Sequence, residues 1–231
     1  MEEKSSWGKA TTMIRVNIFA EGQTEETFIR DVLAPIFDNK GIYFNPILAT
    51  TSKGHKGGIV NYAKVKRQLE SLCKQDRNAY VTTMIDYYGL PSCFPKMTDP
   101  AISNEPDLYK KISILEKSLE DDINHTMFIA NYMLHEFEAL LFSDPEKFNE
   151  LVDGISIDEL MHIKNEFESP EHINNSFETS PSKRILNLSS QYDKVLHGSL
   201  IATEIGLDEI RKQCKHFDQW LKKIEEVANA R

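Results

Sequence analysis

The chain has little of what marks exported, membrane-spanning or thiol-metal proteins. Only three of its 231 residues are cysteine, Cys73, Cys93 and Cys214. They are odd in number, far apart and without a C-x-x-C pair, which argues against a zinc ribbon or a dithiol redox couple and for reduced, buried thiols. No run approaches the roughly 18–20 apolar residues of a membrane helix, and Met1-Glu2-Glu3-Lys4 lacks the apolar stretch of a secretory signal. A cytoplasmic location without membrane contact is the expectation. Cations are in deficit as well: 27 Lys+Arg against 36 Asp+Glu give −9. That balance argues against a surface coated all over in nucleic acid, but it leaves room for a local basic groove or an acidic metal site. No internal repeat or low-complexity segment is present. The hydrophobic share, 40%, is ordinary, and the length fits one large domain or two small ones.

Residues 1–12 are polar and carry no period, so they read as a loose tail. Ile14 to Ala20 reads as a strand, broken at Glu21-Gly22-Gln23, after which Thr24 can cap a helix with Phe28, Val32, Leu33, Ile36 and Phe37 on one face. Ile42 to Thr51 is extended, and helical spacing resumes from Ile59 to Cys73. Tyr80 to Ile85 is a continuous apolar and β-branched run, as a strand covered on both faces requires, and it stops at Asp86. A proline-bearing loop leads to a helix over 105–122, then to a fourth strand over 126–132 and a helix over 135–142. Alternating strands and helices predict an α/β fold with a mainly parallel sheet flanked by helices. Beyond Asp144 only helices are expected, over 156–167, 182–191, 199–205 and 207–227. The seam falls between Asp144 and Asp153, giving an α/β domain over 13–145 and a helical C-terminal region over 146–231.

Ligands of open parallel sheets gather at the carboxyl ends of the strands. Here the residues in that position are acidic: Glu21 after the first strand, Asp86 after the third, and His135-Glu136-Phe137-Glu138 after the fourth. Such carboxylates suit Mg2+ or Mn2+ and phosphate substrates, while turn capping or lysine pairing is the plain alternative. On a regular helix Glu136 and Glu138 stand about 200° apart, so Glu138, which shares a face with His135, is the preferred ligand; Glu136 joins only if the helix starts late. A zinc-protease reading fails because H-E-x-x-H needs histidine where Ala139 stands. Two basic stretches precede helices: Lys53-Gly54-His55-Lys56-Gly57-Gly58, which is no Walker loop, and Ser180-Pro181-Ser182-Lys183-Arg184. Lys56, Gly57, Gly58, Lys183 and Arg184 are the candidate phosphate ligands, with a solvated loop and an internal salt bridge as the alternatives. Arg211 and His216 ride on a terminal helix that is otherwise core packing. Tyr87 and Tyr88 are placed to stack on a base or to pack under a loop.

Read together, Ala20-Glu21-Gly22-Gln23-Thr24-Glu25-Glu26, Gly57-Gly58, Ile85-Asp86-Tyr87-Tyr88-Gly89-Leu90-Pro91, His135 to Asp144 and Pro181-Ser182-Lys183-Arg184-Ile185 resemble the signature blocks of a bacterial family of unknown function. That family is similar to TOPRIM-domain proteins, with relatives among the OLD- and RloB-type nucleases of anti-phage defence. The resemblance runs from about Ile14 to Trp220. It implies a TOPRIM-like fold and Mg2+-dependent phosphodiester hydrolysis on DNA or RNA, alongside a separately encoded AAA- or ABC-type ATPase. Carried over by position, Glu21 is the general acid/base or a distant metal ligand and Asp86 the first aspartate of a D-x-D pair; Tyr88 stands where the second belongs. Glu138 matches the Phe-Glu step of the OLD-like relatives. The nuclease expectation therefore names Glu21 and Lys183 as catalytic, Glu21, Asp86, Glu138 and Glu136 as metal ligands, and His135, Tyr88 and Arg211 as auxiliary. Its rival is a catalytically degenerate regulatory subunit of an ATPase-containing defence complex. A small-molecule phosphatase is the weaker third reading.

Overall fold

Parallel strands need a crossover between them, and the helices after the first three strands supply it. The structure, a computed structural model, describes residues 13–50, 59, 61–174 and 177–230. Strand β1 (Ile14–Ala20) turns at Glu21-Gly22 into helix α1 (Gln23–Phe28), which runs through a π-turn (Ile29–Leu33) into α2 (Ala34–Asp38). Then come β2 (Ile42–Leu48), α3 (Tyr62–Gln75) and β3 (Ala79–Asp86). A short α4 (Pro100–Ser103) and α5 (Leu108–Ile123) lead to β4 (Phe128–Ile129) and β5 (Tyr132–Met133). The sheet order is β2-β1-β3-β4, with β5 also on β3, and all its pairings are parallel. The protein is thus α/β with a mainly parallel sheet flanked by helices.

The fourth strand is interrupted. Val81 lies opposite Phe128 and Ile85 opposite Tyr132, so β4 and β5 keep one register across a gap at Ala130-Asn131. Thr83 fills that gap: its Oγ1 donates to the Asn131 carbonyl (2.7 Å) and accepts from the Asn131 amide (2.9 Å). A side chain has replaced a stretch of backbone ladder.

The expected helix over 135–142 is instead a 3-10 helix, Phe137–Ser143, opened by a hydrogen bond that the Ala139 amide donates to the Glu136 carbonyl. All seven of its residues are buried, so no solvent-facing stripe marks an α-helical period. After a second 3-10 turn (Pro145–Phe148) come α6 (Ile157–Asn165), α7 (Pro181–Leu188), α8 (Lys194–Ile205), α9 (Leu207–Gln213) and α10 (Lys215–Asn229). Helix α8 starts five residues before the expected 199 because the Asp193 carboxylate caps it, accepting from the Leu196 amide (2.8 Å). The expected helix over 207–227 breaks at Cys214. There Glu171 accepts from the His216 and Phe217 amides (3.0 and 2.9 Å), satisfying the first free donors of α10.

Successive strand residues point to opposite faces, and both faces are buried. Ile18 and Met84 belong to one core with Phe28, Phe137, Phe217 and Trp220, whereas Phe19, Val81 and Ile85 belong to another with Leu69, Leu115 and Tyr132. The C-terminal helices cover the first face, where the Trp220 indole N–H donates to Thr82 Oγ1 at 2.9 Å. No helix among the described residues is long and apolar enough to cross a membrane.

Candidate acidic site at the carboxyl edge of the sheet

Because the strands are parallel, their carboxyl ends share one edge, and Glu21 organises it. One carboxylate oxygen, Oε1, accepts from the Ile59 amide (3.3 Å) and the other, Oε2, from the Asp86 amide (3.2 Å). Its own amide donates to the Met84 carbonyl at 3.2 Å. One side chain therefore ties the end of β1 to the end of β3 and to the segment before α3. Glu25, one helical turn on, is 7% exposed and accepts from the Gly22 amide at 2.8 Å.

On the other side, backbone pairing runs past β5: the Tyr87 amide donates to the Met133 carbonyl and the Tyr88 amide to that of His135. His135 then takes a left-handed conformation, φ 69°. Glu136 is extended and precedes the 3-10 helix, so that helix does start late. The regular-helix geometry that separates Glu136 from Glu138 does not apply, and both carboxylates act electrostatically on Asp86. Glu138 is 3% exposed, and its Oε1 lies 3.3 Å from the Lys194 ammonium at the start of α8.

Burial is the main electrostatic fact. It raises Glu21 above the usual carboxylate range against the opposing pull of its two amide donors, with Glu136 adding repulsion. It lifts Glu25 and Glu138 each to about 7. Asp86 is raised well above its ordinary value, first by desolvation and then by Glu25, Glu21, Glu138 and Glu136. Its Oδ1 is sealed from solvent and has no hydrogen-bond partner among the described residues; the Tyr192 hydroxyl is in the same position. Lys194 feels the opposite balance, since desolvation lowers it while Glu138, Glu136 and Asp86 outweigh that and hold it above the usual lysine value.

Of the residues singled out in the sequence, Glu21, Asp86, Glu136 and Glu138 come together, and His135 flanks them. Burial and then His172 push His135 down to about 4, and its Nδ1 lies 3.3 Å from Asn174 Nδ2. Tyr88 contributes its backbone at the rim. At the start of α7 the Ser182 amide donates to Glu136 Oε2 (3.0 Å), so an internal carboxylate occupies that helix end. Arg184 turns to the Thr179 carbonyl (2.7 Å) and lies over the Phe167 ring. Lys183 is half-buried in the first turn of α7. Arg211 pairs with Asp218 and Glu225, and His216 with Glu116. Lys56, Gly57 and Gly58 lie outside the described residues. Asp99, the next aspartate in the chain after Asp86, caps α4.

Glu25, Tyr192 and Lys194 join the group without having been singled out as site residues. A second glutamate one turn after Glu21 was a readable signal, and Asp193 as a cap would have brought Lys194 to the head of a helix. Nothing in the sequence marks Tyr192.

Among the described residues no three histidine, cysteine or carboxylate side chains form a ready-made metal cage. The donor set nonetheless fits a hard divalent cation: it is made of carboxyl oxygens, and the sealed Asp86 Oδ1 lacks a donor among the described residues.

A family model described as a domain of unknown function, DUF4276, matches residues 20–225. The chain belongs to this family. The match takes in Glu21, Glu25, Asp86, Glu136, Glu138 and Lys194, so every acidic-site residue of this DUF4276 chain lies inside the family domain. No curated protein matches the chain. Among solved structures it is similar to the C-terminal region of the OLD protein of Xanthomonas campestris pv. campestris, phased with mercury, at 16% identity over 94% of this chain and 97% of that one, TM-score 0.42. The platinum-phased structure of the same region gives 16% identity over 93% and 97%, TM-score 0.38.

Proposed function

We propose that this protein is a Mg2+- or Mn2+-dependent nuclease that hydrolyses phosphodiesters of DNA or RNA. The observation that carries this reading is the group of buried carboxylates at the carboxyl edge of the sheet, with one oxygen of Asp86 left without a donor among the described residues. Desolvated acids at this density repel one another, and a divalent cation relieves that repulsion. Asp86, Glu138 and Glu136 would hold it, with Glu21 as a further ligand or as general acid/base. When bound, such a cation supplies Lewis-acid polarisation of a phosphoryl oxygen and lowers the pKa of attacking water. Glu21, which burial raises above the usual carboxylate range, is suited to hold or pass a proton. Lys183 belongs to the reading as the cation that neutralises charge on the phosphate. Nucleic acid as substrate, an AAA- or ABC-type ATPase as partner and a role in anti-phage defence follow the sequence resemblance to TOPRIM-like families.

The test is incubation of the purified chain with single- and double-stranded DNA and RNA, in Mg2+, Mn2+ or chelator, with and without ATP and the product of a neighbouring gene. Metal-dependent cleavage that is lost in folded Glu21→Gln and Asp86→Asn variants is the expected result; cleavage that survives both refutes it. A second reading, a binding subunit that has lost catalysis, is favoured by Tyr88 standing where a second aspartate would complete the pair. Absence of any thermal stabilisation by Mg2+ or Mn2+ would select it.

A further inference from the structure

Lys194 is poorly placed for a surface lysine. It is the first residue of α8, where the helix presents its positive end and a cation is disfavoured. It is nevertheless fixed there. The Asp193 carboxylate caps the helix by accepting from the Leu196 amide, and the Asp193 amide donates to His197 Nδ1 (2.8 Å each). Four residues on, Gly198 brings α8 close to the 3-10 helix: a Cβ at that position would stand 3.1 Å from the Phe137 ring. The ammonium consequently comes within 3.3 Å of Glu138.

The two partners differ in their freedom to move. The Glu138 side chain is 4% exposed, whereas that of Lys194 is 43% exposed. The carboxylate is locked in the protein, while the ammonium ends a flexible stem with a path to solvent. Beside the ammonium, Glu138 Oε1, the Tyr192 hydroxyl and Asp86 Oδ1 are all buried and without a hydrogen-bond partner among the described residues, so the pocket holds unfilled polar capacity that one ammonium does not satisfy.

We propose that Lys194 is a resident counter-ion of the acidic site, standing in for a divalent cation in the metal-free protein and swinging out when that cation binds. The inference rests on the metal-binding reading above and adds to it a competition built into the chain. Metal affinity is then set partly by the release of Lys194, and the freed ammonium is left at the rim, where an anionic substrate would meet it.

The test is calorimetric titration with Mn2+, and thermal melting in chelator, of the full chain and its Lys194→Met, Lys194→Gln and Lys194→Arg variants. The expectation is roughly tenfold tighter Mn2+ binding in Lys194→Met, equivalent to about 1.4 kcal/mol, together with a lower melting temperature in chelator. Lys194→Gln repeats the measurement should the methionine variant fail to fold, and Lys194→Arg keeps the wild-type affinity. Adding Glu138→Gln to Lys194→Met abolishes the gain. Mn2+ binding to the wild type that is equal or weaker in the neutral variants overturns the counter-ion role and leaves the metal site intact. Failure of wild type and neutral variants alike to bind Mn2+ overturns the metal reading, and the counter-ion role falls with it. Binding that appears only once Lys194 is neutralised supports competition in its strongest form.

Discussion

The Asp86 amide donates to Glu21 Oε2 at 3.2 Å, so the two acids that end β1 and β3 are joined through backbone while their charges repel. Geometry holds together what electrostatics drives apart. In Asp86→Asn the backbone bond stays and the charge goes. The melting temperature in chelator should therefore rise by about 2–4 °C, the shift that about 1 kcal/mol gives in a domain of this size. Stabilisation by Mn2+ should disappear. A melting temperature that falls in chelator would mean that Asp86 serves the fold rather than a ligand.

Thr82 and Trp220 pin the C-terminal helices to the sheet. The indole N–H is buried and bonded to Thr82 Oγ1, so Thr82→Val keeps the shape and removes the acceptor. Leaving that donor unsatisfied should cost about 1–3 kcal/mol. Urea unfolding followed by tryptophan fluorescence measures it, and a loss well below 0.5 kcal/mol would show that the contact is dispensable.

The strands were readable from sequence for two reasons: β1 alternates in part, with Arg15 and Asn17 between buried apolar residues, and β3 is buried on both faces, which gives an almost unbroken apolar and β-branched run. Acids immediately after strands were readable for the same topological reason. The break in the fourth strand was not, since it depends on Thr83 reaching across to Asn131, a contact between residues 48 apart. Phe137 to Ser143 showed a helix but not its type, because complete burial erases the periodicity that separates α from 3-10. Lys194 stayed hidden because the charge that gives it meaning, Glu138, is supplied by a distant segment. Lys183 stands out through local helix-cap chemistry together with its place in the Pro181 to Ile185 block.

Glu225 provides a pH handle remote from the acidic site. Arg211 first, and then Lys40, hold it down to about 2 from an ordinary 4.5, against the opposing effect of partial burial. A carboxyl depressed in the folded state contributes stability that is fully present above the unfolded pKa and is lost as pH falls through the folded one. The contribution should fade between 4.5 and about 2. Glu225→Gln is therefore expected to be less stable than the wild type at neutral pH and equal to it at the acid end of that window, by urea midpoints across pH. A gap that stays constant with pH would mean that the pair acts through packing.

His135 is the hinge on which the Glu136 and Glu138 segment turns, and its φ of 69° is a conformation that costs most side chains about 1–2 kcal/mol. Asparagine tolerates that region because its short polar side chain bonds locally, and glycine enters it freely, whereas a β-branched residue is a clear outlier there. His135→Asn should fold with near wild-type stability. His135→Gly gains backbone ease but loses the contact with Asn174, and so should change little. His135→Val should lose about 1–3 kcal/mol in denaturant unfolding and bind Mn2+ more weakly, because relaxing the turn re-aims Glu136 and Glu138. Equal losses in all three variants would instead assign the role to the imidazole, and the backbone turn would then have no part in gathering the carboxylates.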